Sequence, residues 1–180
     1  MNIGNINFCD TANGPGVRVS VFVSGCTNGC KGCFNPEAWN FDFGEVFGYR
    51  HMKEIIEKSE PGYISGLSIL GGEPLHPQNS EQVRNILERY REHFGQKKNI
   101  WIWTGYEYEQ LINPIDKWDS SSDDPVKKFY EMGYKDYPYN ENSTKIVDLS
   151  NVLVTGRFEE SLKDLTLKFR GSTNQKLVYV

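Results

Sequence analysis

Three cysteines, Cys26, Cys30 and Cys33, fall within eight residues in the order C-x3-C-x2-C. In a reducing compartment such clustering points to metal or redox chemistry rather than to disulfides. Gly25, Gly29 and Gly32 lie beside or between the thiols, where a tight wrap needs backbone angles that other residues resist. Two metal groups compete for such a loop. Structural zinc wants a closed tetrahedron, which the fourth cysteine, Cys9, would complete. A 4Fe–4S cluster held by three thiolates keeps one iron open to an outside ligand. Ferredoxin clusters bound by four cysteines use other gaps, and zinc sites usually come as two C-x2–4-C halves. The spacing therefore favours the open cluster, and Cys9 is then expected to be a small inert hydrophobe.

A second polar motif, Gly71-Gly72-Glu73-Pro74, closes an apolar run. Paired glycines let backbone approach a ligand closely, and a carboxylate beside them can accept hydrogen bonds from an ammonium group. A tight strand-to-helix turn with a surface Glu explains the same four residues. His76 follows the turn and is a candidate for lining a pocket. His51 and His93 fall on predicted helices and are expected to be solvated.

Strands and helices must position these motifs. Val17 to Ser24 alternates and is β-branched, which predicts a strand leading into the cysteine loop. Met52, Ile55 and Ile56 make a helical stripe over Tyr49 to Lys58, stopped by Pro61-Gly62. Leu67 to Leu70 is a short strand. A helix with Ser80 as N-cap carries Val83, Ile86, Leu87, Tyr90 and Phe94 on one face and ends at Gly95. Ile100 to Thr104 is a strand, with Trp101 and Trp103 expected to pack on its two faces. A short helix through Leu111 ends before Pro114. Val152 to Val154, extending back as far as Ile146, and Leu177 to Val180 complete the strands. Alternation of this kind means β/α units and a mostly parallel sheet. About four units are too few to close an eight-stranded barrel, which leaves an open, partial (β/α) barrel. The motifs then sit at the C-terminal edge of the sheet, where ligands bind. Thr104 and Gly105 are expected to line the same pocket. Asp116 to Thr144, rich in Ser and Asp and then in Tyr, reads as an irregular insert at about 116–144 within a single domain of 1–180.

Composition narrows the class. The 180 residues carry 20 basic and 24 acidic side chains, a net charge of −4, and are 38 % apolar before 17 glycines are counted. That is the range of an ordinary globular chain, and it is not the footprint of a general nucleic-acid binder. Val19 to Cys30 is too short to span a membrane. Met1 to Thr11 lacks the basic start and apolar core of a signal peptide, so a soluble cytoplasmic protein is expected, with neither nucleic-acid nor membrane partners.

C-x3-C-x2-C after the first predicted strand, with G-G-E-P after the second, resembles the radical S-adenosylmethionine superfamily. More narrowly, the chain is similar to the activating proteins of anaerobic ribonucleoside-triphosphate reductases. The resemblance rests on Asn13 to Arg18, Phe22 to Cys26, Gly32 to Asn35 and Gly71 to Asn79. It continues through Trp101 to Tyr106, Val152 to Phe158 and Arg170 to Gln175, in the family's order and over nearly the whole chain outside the insert. There are three departures. Gly32 stands where many superfamily members have an aromatic residue, and Phe34 follows the last cysteine where this branch usually has Tyr. Thr155 replaces the usual Asp, and the insert is longer than the family norm.

The resemblance implies a radical S-adenosylmethionine fold and one 4Fe–4S cluster per chain on Cys26, Cys30 and Cys33. It implies S-adenosylmethionine on the open iron, with Gly71, Gly72 and Glu73 toward its methionine end. Gly32 and Phe34 would touch the adenine, Phe34 having ordinary packing as its alternative. One electron would cleave the sulfonium to methionine and a 5′-deoxyadenosyl radical, which would take a hydrogen atom from a glycine of the reductase. The partners implied are the catalytic, glycyl-radical subunit of that reductase and reduced flavodoxin or a similar low-potential donor. No catalytic residue beyond the cluster and its bound nucleoside is implied. Asn13 to Gly16 is expected to be a structural turn, and Arg170 to Gln175 either holds the last strand or contacts the reductase. Activation of another glycyl-radical enzyme and a zinc-binding interaction module using all four cysteines are the competing readings.

Overall fold

The computed structural model describes residues 1–115 and 125–180. Its elements, in order, are β1 (Asn2–Asp10), β2 (Val17–Val23), β3 (Glu45–Val46), α1 (Tyr49–Ser59), β4 (Ile64–Gly71), α2 (Pro77–Phe94) and β5 (Asn99–Trp103). They continue with α3 (Tyr108–Ile112), α4 (Pro125–Glu131), α5 (Glu141–Leu149), β6 (Val152–Thr155) and β7 (Lys176–Tyr179). The described strands form one seven-stranded sheet in the order β3-β1-β2-β4-β5-β6-β7. The middle four, β2, β4, β5 and β6, are mutually parallel. β1, β3 and β7 add antiparallel edges. The sheet is therefore mixed with a parallel centre, and it does not close.

The two faces differ in chemistry. Val19, Val21, Leu67, Ile69, Ile100, Ile102 and Leu153 point one way and pack under the helices with Ile55, Val83, Ile86, Leu87 and Ile146. On the other face Trp101, Val152 and Val154 are buried against Trp103, Phe169 and Leu177. Trp101 and Trp103 thus share one face, which corrects the expectation of one on each: positions two apart on a strand point the same way. Arg18, fully buried on this face, lies 5.8 Å from the Trp101 ring centre. It donates to Ser68 Oγ at 2.6 Å, Asn99 Oδ1 at 2.6 Å and the Leu67 carbonyl at 2.8 Å. A buried guanidinium persists because its donors are satisfied.

Four further expectations are corrected. α2 starts at Pro77, with the ring nitrogen of His76 accepting from the Gln78 N–H at 3.2 Å. Ser80 lies inside the first turn, because Pro77 is pre-set for a helix start. Ile146 belongs to α5 rather than to a strand. Asn140 caps that helix by accepting from the Ser143 N–H at 3.0 Å. His51 is buried, its Nδ1 accepting from the Gly48 N–H at the start of α1, while His93 is half-exposed beside Glu60. The insert is not irregular where it is described. It supplies α4 and the first turn of α5, and its run from Ser120 to Asp124 lies outside the described residues. Phe129 and Tyr134 are core residues, and the Tyr137 hydroxyl donates to the Asn113 carbonyl at 3.0 Å.

Candidate metal centre

Each of the four parallel strands delivers a polar segment to the same edge of the sheet. β2 runs into Cys26 to Cys33, β4 into Gly71 to Glu73, β5 into Thr104 to Tyr106, and β6 into Thr155 to Phe158. The loops are tied to one another by backbone. The Gly72 N–H reaches the Val23 carbonyl at 2.7 Å, and the Glu73 N–H reaches the Gly25 carbonyl at 2.8 Å. A Cβ on Gly72 would lie 2.6 Å from the Gly25 oxygen, so only glycine allows this approach. Buried Asn79 at the start of α2 completes the joint. Its amide donates to the carbonyls of Ser24 at 2.9 Å, Glu73 at 3.0 Å and Gly25 at 3.3 Å.

Glu73 is 1 % exposed, not a surface residue. One carboxylate oxygen accepts from the Thr104 hydroxyl at 2.7 Å and the Leu75 N–H at 3.0 Å. The other accepts from the Gly105 N–H at 2.7 Å and from Asn28 Nδ2 at 3.0 Å. Burial outweighs these four donors and holds its pKa above the ordinary carboxylate value. Glu73 therefore joins three of the four loops, and Thr104, 4 % exposed, is one of its donors rather than an open pocket wall. The Tyr106 hydroxyl is buried without a hydrogen-bond partner. Burial raises its pKa, helped by Glu73, Asp136 and Cys26.

The three loop cysteines are half-buried free thiols. Burial, with Glu73 nearby, pushes the Cys26 thiol up to about 12, and burial raises Cys30 as well. A group that binds them must therefore displace protons. Among the described residues no three His, Cys, Asp or Glu side chains converge closely enough for a single metal ion. Three thiols on one loop, with no fourth cysteine beside them, suit a cluster that keeps one iron open better than the closed tetrahedron of structural zinc.

Cys9 is exposed, so it is not a small hydrophobe of the core. It lies near the Asp10 end of β1, which pairs with Arg18 at the start of β2. Cys26 follows the other end of β2, about 20 Å away at ~3.3 Å per strand residue, so Cys9 cannot complete a four-cysteine site.

The remaining site candidates are also placed. Gly71 is exposed at the strand end with φ +112. Gly32, with φ +71, faces Glu160, whose carboxylate lies 3.5 Å from Lys31 Nζ. Phe34 is fully exposed, so ordinary packing does not explain it. His76 is buried, 3.2 Å from Asp136 of the insert and 4.7 Å from the Phe41 ring centre, and it braces the insert. Thr155 is buried with its hydroxyl unpartnered. Gln175 of the Arg170 to Gln175 run accepts from the Gly171 N–H and donates to the Gly156 carbonyl, so the run holds the β6 exit.

Residues 12–178 match the family model of a 4Fe-4S single cluster domain. The chain is 36 % identical to the anaerobic ribonucleoside-triphosphate reductase-activating protein of Enterobacteria phage T4 over 98 % of this chain and 93 % of that one. It is 36 % identical to the Escherichia coli K12 protein of the same name over 92 % and 90 %. Identity to the Haemophilus influenzae protein is 32 % over 92 % and 90 %. The chain belongs to this family of activating proteins. A 4Fe–4S cluster is its metal group, and radical S-adenosylmethionine chemistry is the family's expected use of it. Asn28 and Asp136 touch the candidate residues Glu73 and His76, and the sequence alone does not single them out. Each makes a contact between loops distant in sequence, and no local pattern signals that.

Proposed function

We propose that this chain activates an anaerobic ribonucleoside-triphosphate reductase by generating a glycyl radical on it. The observation that supports this most is that the loop carrying Cys26, Cys30 and Cys33 and the Gly71 to Glu73 turn leave neighbouring parallel strands at one edge of the sheet and are joined there by backbone hydrogen bonds. Cys26, Cys30 and Cys33 would hold a 4Fe–4S cluster there, and when reduced it would supply the electron for cleavage of S-adenosylmethionine to methionine and, with a hydrogen atom taken from a reductase glycine, 5′-deoxyadenosine. The protein's work is position and exclusion of water.

In this reading Cys26, Cys30 and Cys33 hold three irons, and Gly71 and Gly72 offer bare backbone to the methionine end of the nucleoside. Gly32 and Phe34 stand at its adenine end, Phe34 with a free ring face. Glu73 has four donors on two oxygens, so it can take an ammonium group only by releasing one. Asn28 is the donor to release, since it is a side chain of the cluster loop and the others are framework. Thr104 then keeps Glu73 oriented. The seven strands act as an open partial barrel of the radical S-adenosylmethionine type, residues 1–180 work as one unit, and a low-potential carrier of the flavodoxin kind supplies the electron.

The test is anaerobic incubation of the cluster-loaded chain with the reductase, S-adenosylmethionine and reduced flavodoxin. A glycyl-radical resonance on the reductase, absent with Cys30→Ser, is expected. Its absence with wild-type chain and a fully loaded cluster would overturn the proposal.

A further inference from the structure

The chain between β6 and β7 closes on itself. Lys163 pairs with Ser172 in an antiparallel bridge. The Thr173 N–H donates to the Leu162 carbonyl at 2.9 Å, and the Asp164 N–H to the Gly171 carbonyl at 3.2 Å. At the turn, Asp164 Oδ1 accepts from the N–H and the hydroxyl of Thr166 at 2.8 and 2.7 Å. Two anchors fix this loop to the ligand edge of the sheet. Glu160 lies 3.5 Å from Lys31 Nζ, and a Cβ on Gly32 would meet its carboxylate at 3.0 Å. The loop therefore rests on the stretch between Cys30 and Cys33. Phe169 is the second anchor. Its carbonyl accepts from Trp103 Nε1 at 2.7 Å, and its ring meets the Trp101 ring edge-on with centres 5.3 Å apart. It holds φ at +64, a left-handed angle that a side chain resists, and these contacts keep it there.

What the anchored loop presents is apolar. Leu162 is 39 % exposed and Leu165 88 %. Residues 159–170 carry three acidic and three basic side chains, so the loop has no net charge with which to draw a partner. Single exposed leucines are ordinary, but the place of these two is not. Leu162 stands two residues from Glu160 and Leu165 five, the latter at most about 18 Å away. A standard interface covers about 800 Å² per partner, a patch about 30 Å across. Hydrogen-atom transfer needs contact between the reductase glycine and the bound nucleoside. The reductase must therefore cover this edge, and a patch of that size extends to both leucines.

We infer that the loop 159–173 is a docking surface for the catalytic subunit of the reductase, with Leu162 and Leu165 entering an apolar recess of that partner. The inference rests on the activation reading above, which supplies the partner and brings it to this edge.

The experiment titrates the full-length, anaerobically reconstituted chain with the reductase catalytic subunit in the presence of S-adenosylmethionine, at low and high salt. Wild type is compared with Leu165→Ser, with the double variant Leu162→Ser and Leu165→Ser, and with Tyr63→Ser. Tyr63 is 68 % exposed just before β4, at the opposite edge of the sheet. Leu165→Ser replaces a side chain already in solvent and leaves the fold intact. It is expected to weaken binding about tenfold or more, the equivalent of burying one leucine, and the double variant further. Salt should not change that factor, because an apolar contact is not screened. Tyr63→Ser should bind like the wild type. All variants should keep their iron content and the response of the cluster resonance to S-adenosylmethionine. Wild-type affinity in the double variant, or equal weakening by Tyr63→Ser, would overturn the docking surface. Sedimentation of the chain alone is the second measurement. Self-association lost in the double variant while its affinity for the reductase is unchanged would assign the leucines to a second copy and overturn it too. A wild type with no affinity for the reductase would overturn the activation reading itself, which a loss confined to the leucine variants supports.

Discussion

Replacing Glu73 with Gln changes one oxygen to an NH2 group and nothing else in shape. Four donors, from Thr104, Leu75, Gly105 and Asn28, point at the two oxygens. Whichever oxygen is replaced, one fixed backbone N–H, of Leu75 or Gly105, faces a new donor, while the Thr104 hydroxyl or the Asn28 amide can turn to accept from it. A buried donor left without an acceptor costs about 1–3 kcal/mol. Removing a buried charge returns part of this, since desolvation opposes the carboxylate. The net expectation is a loss of about 1–2 kcal/mol. For a chain of this size, at about 2–4 °C per kcal/mol, that lowers the melting temperature by about 4 °C. Urea titration of the cluster-free chain reads it directly. Thr104→Val supplies a control, since it removes one donor and is expected to cost about 1 kcal/mol. The double variant should show non-additivity, because the two side chains share a hydrogen bond. A Glu73→Gln chain within about 0.5 kcal/mol of wild type would refute the idea that this carboxylate holds the loops together.

Gly72→Ala places a Cβ 2.6 Å from the Gly25 carbonyl oxygen and should cut cluster loading severalfold, measured as iron per chain. Gly29→Ala meets nothing within 4 Å and has only its φ of +58 against it, so it should cost about 1–2 kcal/mol and keep its iron. Cys30→Ser should lose the cluster while Cys9→Ser keeps it, by iron and sulfide analysis. Asp10 is buried, which acts to raise its pKa. Hydrogen bonds from Asn13 and from the Ala12 N–H outweigh that and hold it below the ordinary 3.8. A carboxylate with a depressed folded-state value binds fewer protons folded than unfolded, so it stabilises above 3.8. The stability difference between wild type and Asp10→Asn should be full near pH 6 and disappear as pH falls below 3.8 through the folded-state value. Urea titrations across that range measure it.

The elements that carry the site were legible because their signals are local. β2, α1, β4, α2, β5 and α3 declare themselves by alternation, by three-and-four spacing and by glycine or proline stops, and the cysteine spacing names its chemistry. β1 was missed because Asn2, Gly4, Asn5 and Asn7 have low strand propensity. It is held by pairing on both sides, with β2 and β3. α5 was missed because Ile146 and Val147 sit close to a real strand, and the deciding cap, Asn140 on Ser143, lies among turn-like residues. The burial of Glu73 was beyond local reading, since its partners come from positions 28, 75, 104 and 105. Arg157 was legible as part of a motif but not as a partner of Met132, Gly133 and Tyr134, because those residues belong to the insert.

The most direct test of the account is electron paramagnetic resonance of the anaerobically reconstituted chain, reduced with dithionite, with and without S-adenosylmethionine. A reduced-cluster signal that changes when S-adenosylmethionine is added is the predicted result, since three cysteines leave one iron open to it. A reduced-cluster signal indifferent to S-adenosylmethionine, or a silent sample that retains tightly bound zinc, would contradict the account.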